Sequence, residues 1–202
     1  MNTTINTDHA GRPLPVTRLP IIGVMGSHQE AHADRAVPLG EWIAREGYHL
    51  LTGAGGGVME TVSRAFAEVG DRTGSVIGVV PTVAQSSSST RVPESGYPNQ
   101  WVEIPIVTHL GTGGPHGDAP TSRNHLNVLT SNVVVLLPGG EGTASEARLA
   151  LRYRTPCVGF LLNRGEIPSL PPDIQIESTL EGVADFVKSS LQSPVVGGPR
   201  RA

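Results

Sequence analysis

The sequence predicts an α/β fold in which a central parallel sheet is covered by helices on both faces. Short apolar runs, which indicate buried strands, alternate along the chain with segments of helical periodicity. Two of the predicted strand-to-helix junctions, residues 53–57 and 138–143, are rich in glycine. In a parallel sheet such junctions share the carboxyl edge, where ligands of this architecture bind.

The first half of the chain predicts the order strand, helix, strand, helix, strand. The second helix illustrates the evidence, because Val58, Val62 and Phe66 recur at the four-residue spacing of one helix face. Gly47 is expected to end the first helix. The expected bounds are, in order, Ile21–Met25, 33–46, 48–52, 57–69 and 75–80.

Residues 82–120 interrupt this alternation with a serine run and several prolines. A long irregular stretch inside a compact domain is more often a functional flap than idle chain. We therefore expect a flap here that is mobile without ligand. Within it, residues 101–107 alternate apolar and polar side chains and predict one strand.

The second half predicts a helix over 121–130, with Leu126 and Leu129 facing inward, and then a buried strand over 133–137. A helix over 144–153, a strand over 157–162 with Cys157 in the core, an edge strand over 173–177 and a closing helix over 180–191 follow. We expect a single domain over residues 19–192. Residues 1–18 are expected to be a disordered lead-in and residues 193–202 a flexible tail.

Composition limits the class of protein. A chain of 202 residues that is 38% hydrophobic suits one domain with one sizeable core. The net charge of -3 and the absence of a basic run give no support for nucleic acid or acidic lipid as partners. No apolar run approaches the roughly 18 residues that span a bilayer, and no signal peptide is recognisable. With Cys157 as its one cysteine, the chain is expected to reside in a reducing cytoplasm.

The two glycine-rich junctions predict a phosphate site, because glycine lets a ligand approach the main chain and a helix N-terminus offers unpaired N–H groups. The alternative is a pair of tight turns. The first junction is neither GxGxxG, since Val58 stands at the last glycine position, nor a Walker loop. The expected phosphate ligands are Gly55, Gly56, Gly57, Gly139, Gly140, Gly142 and Thr143, with Gly26 and Ser27 after the first strand also touching the ligand.

Two charged residues are candidates for chemistry. Glu146 could be the last residue of a Thr-Ala-Ser-Glu capping box, or a carboxylate that stabilises a cationic sugar and orients a water. Arg123 could bind an anion through its guanidinium fork, or be an ordinary solvated arginine. His28 and His32 lie one helical turn apart, but their spacing is not HExxH and no third ligand is nearby, so no metal site is expected.

Three segments, residues 26–28, 50–66 and 122–146, resemble the LOG-like Rossmann superfamily, formerly described as lysine decarboxylases. The resemblance covers about residues 21–162 and implies a three-layer Rossmann-like fold assembled as a homodimer or a dimer of dimers. Some members are phosphoribohydrolases that split a nucleoside 5′-monophosphate into free base and ribose 5-phosphate. Others are molybdenum cofactor carriers, which bind that phosphorylated pterin.

Arg123 and Glu146 match the catalytic pair of the hydrolases, and the resemblance implies that hydrolysis needs no cofactor. It favours a phosphoribohydrolase as the first hypothesis, with Asn124 beside the phosphate. The alternative is a non-catalytic carrier with molybdenum cofactor as the bound ligand. The pair Arg123-Asn124, where the hydrolases usually have Arg-Lys, and the long insert at 82–120 are the departures from the hydrolase pattern.

Overall fold

A computed structural model describes residues 18–84, 90–111 and 113–192. Its order of elements is strand, helix, strand, helix and three strands, followed in the second half by helix, strand, helix, two strands and a closing helix. The strands are β1 Ile21–Met25, β2 His49–Thr52, β3 Val76–Ala84, β4 Arg91–Pro93, β5 Ile104–Thr108, β6 Val133–Leu136, β7 Cys157–Phe160 and β8 Gln175–Glu177. The helices are α1 Ala33–Arg45, α2 Val58–Ala67, α3 Asn124–Thr130, α4 Glu141–Tyr153 and α5 Leu180–Gln192.

The strands form one sheet in the order β4-β3-β2-β1-β6-β7-β8, and β5 also pairs with β3. All pairings are parallel except that of β3 with β4. The chain runs outward from β1 through β2 to β3, and then returns to place β6 on the other side of β1. The crevice between the carboxyl ends of β1 and β6 is therefore the switch point of the sheet.

Two apolar layers confirm the predicted three-layer architecture. Alternate residues of β6 face opposite sides, so that Val133 and Val135 pack with α1, α2 and α5, whereas Val134 and Leu136 pack with α3 and α4. Cys157 is buried in the second layer, as expected. No described helix has the length and apolar character that crossing a membrane would require.

The structure corrects three of the expectations for local structure. The insert at 82–120 contains more strand than predicted, because β3 extends to Ala84 and pairs with β4, whereas β5 corresponds to the strand expected over 101–107. Leu129 points outward with 58% of its surface exposed. The helix α4 begins at Glu141 rather than at Ala144. The expected lead-in and tail lie outside the described residues, apart from Arg18.

An ion pair fastens α1 to the end of β7 near the switch point. Arg35, only 8% exposed, donates to both carboxylate oxygens of Glu166 at 2.9 and 2.7 Å and to the carbonyl of Phe160. The hydrogen bond from Arg35 holds the pKa of the Glu166 carboxyl below its ordinary value. The carbonyl of Glu166 accepts from Gly139, so that the pair also holds the turn that opens α4.

We expect Glu166→Gln to lower the free energy of unfolding by about 1–3 kcal/mol at neutral pH, because Arg35 then keeps a buried charge without its counter-ion. Since the lowered pKa makes the pair stabilising above the ordinary pKa of glutamate, the loss should shrink as pH falls through the lowered value. Urea unfolding at several pH values measures both effects. The control is Glu41→Gln on α1, which breaks an exposed pair with Arg45 and should cost at most about 0.5 kcal/mol. Equal losses in the two variants would contradict the expectation.

Candidate ligand-binding site

A cavity of about 470 Å³ opens at the switch point, beyond the carboxyl ends of β1 and β6. It is larger than two other depressions, of about 300 Å³ between α1 and α2 and about 370 Å³ beside β7. Its volume lies within the range of small-molecule sites. The expected site residues that line it are Gly26, Ser27, Arg123, Asn124, Gly140, Gly142, Thr143 and Glu146.

The N-terminus of α4 forms one end of this cavity. Gly140 is the N-cap residue, and no side chain caps the helix. Because the first-turn N–H groups of a helix lack intrahelical partners, they are donors available to an anion. Ser27 donates its main-chain N–H to Pro138 at 2.9 Å, which holds the turn after β1 against this end. This end of the cavity suits a phosphate group.

The first glycine junction is placed differently from the expectation. Gly53 lines the cavity, but Gly55, Gly56 and Gly57 are not among the lining residues, and neither is Gly139. A Cβ on Gly55 would lie 2.6 Å from the His28 ring, and one on Gly57 would lie 2.5 Å from the carbonyl oxygen of Ser27. The lack of a Cβ at these two glycines therefore lets the segment after β1 pack against the junction. The role of all four in phosphate binding stays a prediction.

Arg123 is partly buried and joins three parts of the chain, so it is not a solvated arginine. Its Nη1 donates to the carbonyl of Gly53 and, at 2.7 Å, to the carbonyl of Val79. Its Nη2 donates to the Tyr97 hydroxyl at 3.1 Å, and the guanidinium carbon lies 4.9 Å from the centre of the Tyr97 ring. His28 stacks on the same tyrosine at 5.7 Å. Arg123 thus fixes the insert, through Tyr97, to the carboxyl edge of the sheet.

The insert forms a wall of the cavity, as a functional flap would. Glu94 and Tyr97 line it from the segment between β4 and β5, and Gly111, Gly113 and Gly114 line it from the segment after β5. Gly114 lies about as close as van der Waals contact to the position that a Cβ on Gly142 would take. The mobility of this wall stays a prediction.

Glu146 is not a capping residue, which corrects one of the two alternatives. Since α4 begins at Glu141, Glu146 lies in its second turn, with 7% of its surface exposed. Its Oε1 accepts a hydrogen bond from the Asn127 amide at 2.9 Å. Burial raises the pKa of the Glu146 carboxyl to about 7, while the Asn127 hydrogen bond and the charge of Arg123 lower it in part.

Asn124 supports the opening of α4. Its side-chain amide donates to Ser145 Oγ at 3.0 Å, and that hydroxyl donates to the carbonyl of Gly142 at 2.6 Å. A Cβ on Gly117 would lie 2.1 Å from Ser145 Oγ, so the insert also packs closely here. Asn124 therefore lines the cavity and also orders the turn that presents the N–H groups.

Metal ligands are not clustered in the part of the chain that the structure describes. No group of three or more His, Cys, Asp or Glu side chains there could hold a metal ion. His32 lies near Glu30, and His28 lies against Tyr97.

Sequence reasoning missed several lining residues, of which Asn127, Tyr97 and Gly53 contribute most to the geometry. Asn127 follows Arg123 by four residues, and this helical spacing could have placed the two on one face. Tyr97 lies in an irregular part of the insert, where no periodicity indicates its direction. Gly53 is indistinguishable in the sequence from the other glycines of its cluster.

Comparison with known proteins identifies a family and several relatives. The model of the SLOG cluster4 family matches residues 19–182. The molybdenum cofactor binding protein of the phototrophic bacterium Rippkaea orientalis is 33% identical, and the match covers 87% of this chain and 99% of that one with a TM-score of 0.61. The molybdenum cofactor carrier protein of Chlamydomonas reinhardtii is 31% identical, with 86% and 98% covered and a TM-score of 0.62.

An uncharacterised protein of Archaeoglobus fulgidus is 29% identical over 137 residues, which are 67% of this chain and 76% of the relative. These matches point to the superfamily that the sequence resembles. The strand order and the glycine-rich opening of α4 are consistent with it. The chain belongs to the SLOG cluster4 family, within the LOG-like Rossmann superfamily.

Proposed function

We propose that this protein binds molybdenum cofactor, a phosphorylated pterin, in the cavity at the switch point. The observation that carries the proposal concerns Arg123, the one Arg or Lys among the described lining residues. Its hydrogen bonds go to the protein itself. Its guanidinium donates to two main-chain carbonyls and to Tyr97, so its main role is to fix the cavity wall. The first-turn N–H groups of α4 are then the donors that we expect to bind the phosphate. A cavity in which Arg123 fixes the wall and α4 binds the phosphate suits holding a ligand.

The donors and the space of the cavity fit such a ligand. The uncapped N-terminus of α4 supplies main-chain N–H groups for the phosphate. A volume of about 470 Å³ leaves room beside them for a fused ring system. The two relatives at 33% and 31% identity are described as a binding protein and a carrier protein for this cofactor, which supports the same ligand here.

The test is purification of the protein from a host that makes the cofactor and from an isogenic host that does not. We expect molybdenum, measured by mass spectrometry, and a phosphopterin, measured by fluorescence after oxidation, to accompany the protein from the first host only. In a binding assay the purified protein should take up a stable synthetic phosphopterin and bind the same pterin without phosphate more weakly. Failure to retain or bind any phosphopterin would contradict the proposal.

A second candidate is the phosphoribohydrolase, with Arg123 and Glu146 as its catalytic pair. The observation that favours it is the raised pKa of Glu146, about 7, in a carboxyl that lines the cavity. Such a group can give or accept a proton at neutral pH. Incubation with a panel of nucleoside monophosphates distinguishes the two functions. Free base released by the wild type and not by Glu146→Gln would establish the hydrolase, whereas we expect intact nucleotides with both proteins.

The resemblance also implies a homodimer or a dimer of dimers and a cytoplasmic location, and we include both in the proposal. Light scattering on the purified protein measures the mass of the assembly. A monomer across the micromolar range would contradict the first point.

A further inference from the structure

Asn127 has the smallest exposed fraction of the polar residues that line the cavity. It is 1% exposed, and its main chain is held on both sides, since its N–H donates to the carbonyl of Arg123 and its carbonyl accepts from Ser131 Oγ at 2.7 Å. Its amide nitrogen donates to Glu146. Its Oδ1 is buried and has no hydrogen-bond partner among the described residues.

Glu146 determines which way this amide points. When Glu146 is ionised its oxygens can only accept hydrogen bonds, so they face the NH₂ group of Asn127 rather than its oxygen, as in the structure. The oxygen is thereby left without a partner, in a residue that lines the cavity. Buried polar atoms in native proteins nearly always have partners, and an exception points to a group that binds there.

We propose that Asn127 Oδ1 accepts a hydrogen bond from an N–H of the ligand's ring system and that Glu146 is the positioning residue that orients this amide. The inference rests on the proposed function and names the end of the cavity that holds the ring. At neutral pH a phosphate ester is mainly a dianion whose oxygens only accept hydrogen bonds, and the Glu146 carboxylate repels it. The phosphate therefore lies at the N-terminus of α4 and the donor edge of the ring lies at Asn127.

The test uses a stable synthetic pterin that carries a phosphate ester, with inorganic phosphate as the second probe. Asn127→Leu preserves size but removes the acceptor. It should weaken binding of the phosphopterin about tenfold, because an N–H buried without a partner is costly, and should leave the affinity for inorganic phosphate within about twofold. Fluorescence titration measures the first affinity and NMR titration the second. Thermal unfolding of each variant establishes that it is folded.

Two substitutions of Glu146 test its positioning role. In Glu146→Gln an amide oxygen can still accept from the Asn127 NH₂, so phosphopterin affinity should stay within about threefold of the wild type. In Glu146→Leu the amide loses its orienting partner, and the loss should approach that of Asn127→Leu. A purely structural role would weaken both probes together.

The outcomes separate the two levels of the proposal. A wild type that binds phosphate but no phosphopterin would overturn the proposed function and this inference with it. A wild type that binds phosphopterin, together with an Asn127→Leu variant that binds it equally well, would overturn this inference alone. A Glu146→Gln variant that loses as much affinity as Glu146→Leu would overturn the positioning role.

Discussion

At about pH 8 the Glu146→Gln variant should be more stable than the wild type, by on the order of 3 kcal/mol in the free energy of unfolding. Burial raises the pKa of this carboxyl from its ordinary value of 4.5 to about 7. Each unit corresponds to about 1.4 kcal/mol. Glutamine cannot ionise, so the variant avoids the cost of holding a carboxylate in a buried site.

The sign of the effect follows from proton binding. Between the ordinary pKa and the raised one the folded protein binds a proton that the unfolded chain has released, so wild-type stability falls as pH rises through this window. The advantage of the variant should therefore be small near pH 4.5, grow up to about pH 7 and then level off. Urea unfolding across this range measures it.

Glu181→Gln, at an exposed position on α5, is the control and should stay within about 0.5 kcal/mol of the wild type at every pH. An advantage of Glu146→Gln that does not vary with pH, or a variant less stable than the wild type at pH 8, would contradict the raised pKa. The expected result has a functional meaning. A carboxyl that lowers stability in a cavity wall indicates that its charge or its acceptor is needed there.

The alternation of strands and helices could be predicted because each buried strand is a short apolar run and each helix has its own periodicity. The same local rules cannot find a strand whose pairing is distant or brief. The three exposed residues of β4 pair antiparallel with the extension of β3, and no pattern within residues 91–93 indicates this. The spacing predicts that Leu129 faces inward, but spacing only defines a face, and the exposure of that face depends on what packs against it.

The site, like the fold, could be predicted only in part from local patterns in the sequence. Arg123, Asn124 and Glu146 were candidates because their residue types and spacing indicate chemistry, and the structure places all three in the cavity wall. The capping-box alternative for Glu146 was wrong because α4 begins three residues earlier than predicted, with Gly142 in its first turn. Tyr97 could not be predicted, since its contacts with Arg123 and His28 join segments far apart in sequence.

Gly57→Ala should be the most damaging of the small substitutions near the site. Gly57 has φ 61° and ψ −127°, a conformation that L-residues other than glycine rarely adopt. A Cβ there would lie 2.5 Å from the carbonyl oxygen of Ser27 and 2.6 Å from the carbonyl carbon of His28. These are main-chain atoms, so relief requires the cavity wall to move. We expect a loss of about 2–4 kcal/mol in the free energy of unfolding.

The same displacement should weaken the binding of a phosphopterin, because Ser27 and His28 both line the cavity. Gly70→Ala is the matched control at the other end of α2. A Cβ on Gly70 would meet nothing within 4 Å, so this variant should stay within about 0.5 kcal/mol of the wild type and bind normally. If Gly57→Ala were as stable as Gly70→Ala, the close approach of the two junctions would not be needed for the fold. If it lost stability but bound normally, the segment after β1 would not be part of the ligand site.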